Sequence, residues 1–350
     1  MNYEAFTAYQ KEQRRQKIRS RIILAATAFA MLACWLVCGG SLSPSEKRLY
    51  DTVVRSHEIL WQWEASLGIN PDAETDPYKT GLIGVEWSEF STTLGALEAK
   101  RTACDPRWAV AASRWFDELG IKRGDRVVVL SSSSFPGMIL NILTALEARG
   151  ANVFMILSLG SSTWGANDPR APWPVMASQL RKAGLLHTRP SYITLGGGGE
   201  NGGGLSEEAV RAMSALAQSE GTPLVIKESL EDIIEWKIEL IKQISPKAVV
   251  NIGGGHSSLG SGDSSVSFSP GVHTRPDARA GNGVMAGALE AGFPVIHILN
   301  IKELCAQTKI PFDAAPAPFM RGRYSIAAAV IGLITFALAL IISERWHMMQ

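Results

Sequence analysis

Arg126-Val127-Val128-Val129-Leu130-Ser131-Ser132-Ser133-Ser134-Phe135-Pro136-Gly137 is the stretch that decides the fold class. The unbroken aliphatic run Val127–Leu130 fits a strand covered on both faces, as in a parallel sheet, better than the alternation of a half-exposed strand. The serines end the apolar run. Phe135-Pro136-Gly137 then opens a helix over 136–149, because proline is tolerated in a first helical turn. Strand, small-residue loop and helix form one unit, and the chain repeats it. Further strands are expected at Asn152–Leu157, Ser191–Leu195, Pro223–Lys227, Lys247–Ile252 and Phe293–Leu299. Helical patterns lie near 173–184, 205–219, 229–243 and 282–291. Such alternation predicts an α/β fold, with a mostly parallel open sheet carrying helices on both faces, over residues 80–323.

Outside this block the pattern changes. Residues 22–42 and 325–343 carry no charged side chain up to their flanks, and a bilayer core is spanned by about 20 apolar residues in a helix. The expected organisation is a cytoplasmic basic tail at 1–21 and a transmembrane helix at 22–42. A membrane-proximal helix and linker follow at 43–79, then the α/β domain at 80–323. A second transmembrane helix at 324–343 and a cytoplasmic tail at 344–350 complete the chain. A cleaved signal is the alternative for the first run, but its apolar stretch exceeds the usual length of about 7–15 residues. Trp35-Leu36-Val37-Cys38 is also a poor lipidation signal. Lys11, Arg14, Arg15, Lys17, Arg19 and Arg21 precede the first run and put the N-terminus in the cytoplasm. Two spans return the C-terminus to that side and leave the domain outside, although Arg321 and Arg323 before the second run outnumber Arg345 after it.

A net charge of +1, from 34 basic and 33 acidic residues, gives no reason to expect a nucleic-acid partner. Of the four cysteines, Cys104 and Cys305 fall in the domain and read as unpaired thiols, with a disulfide as the alternative.

In open parallel sheets ligands bind beyond the carboxyl ends of the strands. Here those ends carry four loops of small residues: Ser131–Gly137, Ser158–Asp168, Gly196–Gly204 and Gly253–Gly260. Such loops expose backbone N–H groups near helix starts, which favour carboxylates and phosphates. Tight βα turns are the plainer explanation for any one loop, and a shared polar ligand site the explanation for all four. Candidate catalytic residues are Ser133, Ser134 and Ser162 as nucleophiles, His256 as a base and Asp168 as an acid or orienting carboxylate. For Asp168 a turn cap is an equal alternative. Candidate ligand contacts in these loops are Ser161, Gly197, Gly199, Glu200, Asn201, Gly254 and Gly255. His297 lies in an apolar strand and reads as packed. His256, Asp263 and His273 have no metal-ligand spacing, so neither a metal nor another cofactor is expected. Gly197, Gly199 and Gly202 satisfy G-x-G-x-x-G, but a glycine run matches that pattern almost freely. P-loop, H-E-x-x-H, G-x-S-x-G and S-x-x-K motifs are missing.

Thr80-Gly81-Leu82-Ile83-Gly84-Val85-Glu86-Trp87-Ser88, continuing through Ser91-Thr92-Thr93-Leu94-Gly95 to Glu98-Ala99-Lys100-Arg101-Thr102, is distinctive. Together with Ser133-Ser134-Phe135-Pro136-Gly137 it resembles the poly-γ-glutamate system membrane protein family. The resemblance implies terminal spans in a bacterial cytoplasmic (inner) membrane and a large outer domain. It also implies a role in biosynthesis or export beside membrane-bound synthase subunits, with poly-γ-glutamate or a related polycarboxylate as ligand. It supplies no catalytic residues, but a polycarboxylate ligand makes the cationic pair Lys100 and Arg101 candidate ligand contacts, with a solvated helix end as the equal alternative. The leading expectation is an accessory component that binds the anionic polymer or docks the synthase. The alternative is an extracytoplasmic hydrolase or transferase that acts on γ-glutamyl chains with a loop serine and His256.

Overall fold

The computed structural model describes residues 3–38, 42–69, 73–261, 267–318, 320 and 331–341. The chain divides into two compact units, Pro44–Ala317 and the two terminal segments Met1–Ser43 with Pro318–Gln350.

Pro44–Ala317 is built on a six-stranded sheet. Its members are β2 (Arg126–Ser132), β3 (Asn152–Ser158), β5 (Pro190–Thr194), β6 (Ala248–Ile252), β7 (Gly271–His273) and β8 (Val295–Ile298), in the order β5-β3-β2-β6-β8-β7. All neighbours are parallel except β7, which pairs antiparallel with β8 at one edge. Val128 faces Phe154 on one side and Val249 on the other. The order grows leftward from β2 to β3 and β5, then restarts to its right with β6 and β8. The reversal opens a crevice between the carboxyl ends of β2 and β6.

Both faces of the sheet are covered. Val128, Leu130, Ile156, Val249 and Val295 form one core cluster with Ile241 of α8 (Leu230–Ile244) and with Val284, Met285 and Leu289 of α10 (Val284–Glu290). Residues alternate along a strand, so Val127 and Val129 point the other way. On the other side α5 (Pro136–Arg149) is buried from Pro136 to Leu146, with α2 (Pro44–Ser66) and α4 (Arg107–Glu118) packed on it. Local signals agree with these helices. α5 has proline in its first turn and Gly150 at φ 70° beyond its end, and α8 starts with a Ser229–Asp232 capping box.

Several expectations are corrected. Pro223–Lys227 is no strand but a single parallel bridge, Ile193 to Leu224, beside β5. α2 does not stand apart from the domain. Leu49, Val53, Leu60 and Glu64 recur on one face and are buried, and Arg114 of α4 holds Glu46 at 2.8 Å. Unforeseen elements include the edge strand β7, α3 (Leu97–Ala103), α4, α11 (Ile301–Thr308) and a two-stranded parallel pair of β1 (Ser91–Thr93) with β4 (Ser161–Ser162). α6 (Trp173–Lys182) and α7 (Glu207–Ser219) fall in the expected helical patterns, whereas the one-turn α9 (His256–Leu259) lies in a stretch read as a loop.

In the other unit α1 runs from Tyr3 to Cys38, so the basic N-terminal segment is helical. Residues 331–341 are also helical, and a Cβ built on Gly332 would lie 3.1 Å from Met31 Cε. Among the described residues, no helix is long and apolar enough to cross a membrane, so the flanking transmembrane helices are no part of the fold as described. Both apolar runs extend past the described residues, the first through 39–41 and the second on either side of 331–341. Asp263, Arg321, Arg323, Arg345 and the tail 344–350 also lie outside them.

Candidate functional site

The carboxyl ends of β2, β3, β5 and β6 surround one cavity of about 330 Å³. All four small-residue loops reach it, and the fourth wall comes from Thr92–Gly95 and Lys100. Lys100 is its central side chain. It stands on α3, is 2% exposed, and reaches Ser162 Oγ at 2.6 Å, with Nζ also bonded to the Ser134 carbonyl and 3.8 Å from the centre of the Phe135 ring. Burial pushes its ammonium down to about 7, so the free amine is well populated near neutrality.

Close approach of backbones makes this contact. Gly137 lets α5 lie against α3: a Cβ there would meet the Cys104 Cα and Sγ at 2.7 Å. A Cβ on Gly95 would stand 2.9 Å from Ser162 Oγ and 3.0 Å from Lys100 Cε. Ser162 is held by the β1–β4 pair. Next to it Thr163 N donates to Thr93 O at 3.0 Å, and Gly95 N donates to Thr163 Oγ1 at 2.7 Å. Ser162 N donates to Ser134 Oγ at 3.0 Å, which leaves the Ser134 hydroxyl proton free for another acceptor. Ser132 also lines the cavity, and its buried Oγ has no partner among the described residues.

The opposite wall rests on a buried ion pair. Glu200 lies within the glycine-rich loop at φ 57° and is bonded to Lys237 of α8. It also accepts from Ser158 Oγ and Thr194 Oγ1, both at 2.8 Å, and from Ser257 N at 3.3 Å. Lys237 Nζ donates to Ser257 Oγ at 2.8 Å. Burial pushes the Glu200 carboxyl up, but the charge of Lys237 and these hydrogen bonds outweigh it and hold the group at about 2. Glu200 is therefore a clamp that ties the ends of β3 and β5, α8 and α9 to the loop. His256 adds a link across the mouth, its Nδ1 accepting from Gly199 N at 3.0 Å. That bond puts the proton of the neutral ring on Nε2.

Of the residues expected at a site, Lys100, Ser134, Ser162, Gly197, Glu200, Gly254, Gly255 and His256 line the cavity. The others do not. Ser133 is fully buried and donates to Ser158 O at 2.9 Å, and Ser161 is spent on the Ser133 and Ser162 carbonyls. Asp168 caps its own turn, accepting from Arg170 N at 2.9 Å and pairing with the Arg170 guanidinium at 2.6 Å. Arg101 points away to Asp313, 2.6 Å distant, and to the Glu74 carbonyl. Gly199 serves the cavity only through His256, and Asn201 is exposed and outside the cavity lining. His297 is packed, its ring stacked 5.6 Å from Phe268, and burial lowers it to about 4. Cys104 and Cys305 are both buried free thiols. Among the described residues no group of three or more His, Cys, Asp or Glu side chains is placed to hold a metal.

Sequence reasoning missed Thr92, Thr93, Leu94 and Gly95, which form the mouth and pin Ser162. They lie in the distinctive stretch from Thr80 to Thr102. Against family models, curated proteins and solved structures, the chain has no match.

Proposed function

We propose that this chain is a membrane-anchored enzyme of acyl transfer, with Ser162 as nucleophile and Lys100 as its base. The observation that carries the reading is the 2.6 Å contact between a buried lysine, lowered to about 7, and a serine hydroxyl in a cavity at the sheet's switch point. A hydroxyl needs a base within hydrogen-bond reach to attack a carbonyl, and a desolvated amine near neutrality serves as one. Lys100 takes the Ser162 proton as Oγ attacks the acyl carbon. It returns that proton to the leaving amine when the C–N bond breaks. The acyl ester on Ser162 is then released to water or to a second amine. The free Ser134 hydroxyl proton, the unpartnered Ser132 hydroxyl and the N-terminus of α5 favour negative charge developing on the substrate.

The substrate class follows from the family resemblance: an amide chain bearing carboxylates, with γ-glutamyl chains as the prime case and synthase subunits as neighbours. Anchorage in a bacterial cytoplasmic (inner) membrane, with both termini inside and the domain outside, is supported by the basic cluster before residue 22. It is also supported by bare apolar side chains on the terminal helices. Phe29 is 74% exposed and Leu333 70%, an arrangement suited to lipid rather than water.

The full-length protein in detergent micelles is incubated with a γ-glutamyl oligomer. Wild type shortens or transfers the chain and carries an acyl adduct on Ser162, and Ser162→Ala and Lys100→Met do neither. Activity that survives Ser162→Ala refutes the assignment. Retention of the polymer without shortening in wild type instead selects a non-catalytic binding role, for which the hydroxyl- and glycine-rich lining is the favouring observation.

A further inference from the structure

Beside the Ser162 cavity lies a second, open groove of about 550 Å³, bounded by Val85, Glu86, Trp87, Leu94 and Thr163. It adjoins the cavity, for Leu94 borders both and Thr163 follows Ser162 directly. Its surface is unusual for one that only faces solvent. Trp87 is 58% exposed and Leu94 80% exposed. Glu86, the one titratable group of the lining, is exposed and has no ion-pair partner among the described residues. An aromatic face beside an unpaired carboxylate attracts ammonium groups by cation–π and charge-assisted contacts. The same carboxylate repels a polyanion, so the groove is a poor track for the acyl-donor chain.

We infer that this groove is the acceptor subsite of the acyl-transfer reaction and that it takes a molecule with two amino groups. The inference rests on the reading of Ser162 as nucleophile. One nitrogen of the acceptor stays protonated on Trp87 and Glu86. The other, neutral, reaches past Leu94 and Thr163 and attacks the ester carbonyl on Ser162. The new C–N bond forms as the C–O bond to Oγ breaks, and the proton shed by the attacking nitrogen passes through Lys100 to Oγ. The amide is moved from one amine to another, and no oxidant or nucleotide is consumed. An acceptor held this way competes with water, which makes the protein a transferase rather than a hydrolase.

The test uses the full-length protein in detergent micelles, with 1,5-diaminopentane as probe and pentane-1,5-diol as its uncharged control, read by calorimetry and by product analysis. The expected result is saturable diamine binding, no diol binding, and full diamine affinity in Ser162→Ala. Glu86→Gln weakens the diamine roughly tenfold and Trp87→Leu about threefold. Diamine also shifts wild-type product from free acid to amide, and Glu86→Gln loses that shift. Equal binding of diamine and diol, or wild-type diamine affinity in both groove variants, overturns the subsite. Diamine binding that depends on Glu86 while no acyl adduct forms on Ser162 supports the subsite and removes the reaction reading, so the two failures are separable.

Discussion

Replacing Lys237 by methionine tests whether the Glu200 clamp organises the cavity. The two side chains are 3% and 2% exposed, so neither charge is shared with solvent. Methionine keeps most of the aliphatic stem and removes the cation. Glu200 is then left with three neutral donors, Ser158 Oγ, Thr194 Oγ1 and Ser257 N. Stranding one partner of a buried pair costs about 3–5 kcal/mol, a large share of a domain stability of about 5–15 kcal/mol. The pH dependence also changes sign. In wild type the carboxyl is depressed to about 2, so its contribution is present above the ordinary carboxylate range and is lost as pH falls through about 2. In Lys237→Met the burial of Glu200 is no longer opposed by a cation, and its folded pKa moves above the unfolded value. Stability then falls as pH rises through the carboxylate range toward neutrality. Urea unfolding of the full-length protein in micelles at pH 4 and pH 7.5 measures both effects. The double variant Glu200→Gln/Lys237→Met removes both charges and is expected to recover most of the loss, giving a coupling energy of several kcal/mol. A loss below about 1 kcal/mol, or a single variant as stable at pH 7.5 as at pH 4, refutes the clamp.

Four further outcomes rest on the same geometry. Acyl-transfer rate is expected to rise about tenfold per pH unit below about 7 and to level above it, because only the neutral amine of Lys100 accepts the Ser162 proton. The folded lysine binds its proton less well than the unfolded one, so stability rises with pH from about 7 toward the ordinary lysine value, and Lys100→Met flattens that slope in a pH series of melts. Gly95→Ala puts a methyl group 2.9 Å from Ser162 Oγ and 3.0 Å from Lys100 Cε. Turnover drops about a hundredfold for a displacement near 1 Å, at a stability cost of about 1–3 kcal/mol. An active Gly95→Ala protein contradicts the placement of the dyad. Arg101→Ala breaks a partly exposed pair with Asp313 and costs about 1 kcal/mol. Oligomer affinity should stay within twofold of wild type in direct titration, since Arg101 faces away from the cavity.

Legibility varied with how local the determining physics is. Val127–Leu130 could be placed as a strand covered on both faces because such burial demands a continuous apolar run, and the strand expected at Lys247–Ile252 contains β6. Pro223–Lys227 has the composition of a strand and missed the sheet. The chain there meets β5 only at Leu224 before Ser229 starts α8. α3 and β1 carry no periodic pattern long enough to declare themselves, at seven and three residues. α2 was placed outside the domain because its amphipathic face shows that it packs, not what it packs on.

From sequence alone came the alternation of strands, small-residue loops and helices. That alternation forces the loops onto one edge, because parallel strands joined by right-handed crossovers present all their carboxyl ends on the same side. The serines, His256 and Glu200 were therefore within reach before any packing was known, and Lys100 came in only as a cationic contact for a polycarboxylate. Only the tertiary structure decided which of them share a cavity. Lys100 and Arg101 are adjacent in sequence and alike in charge, yet successive residues on a helix point about 100° apart. One reaches Ser162, 62 positions away in the chain, and the other reaches Asp313, 212 away. Ser133 and Ser162 differ in the same way: one hydroxyl is spent on the Ser158 carbonyl and the other meets the lysine. Contacts of that range depend on how close α3, α5 and the β1–β4 pair can approach, which Gly95 and Gly137 set through space rather than along the chain.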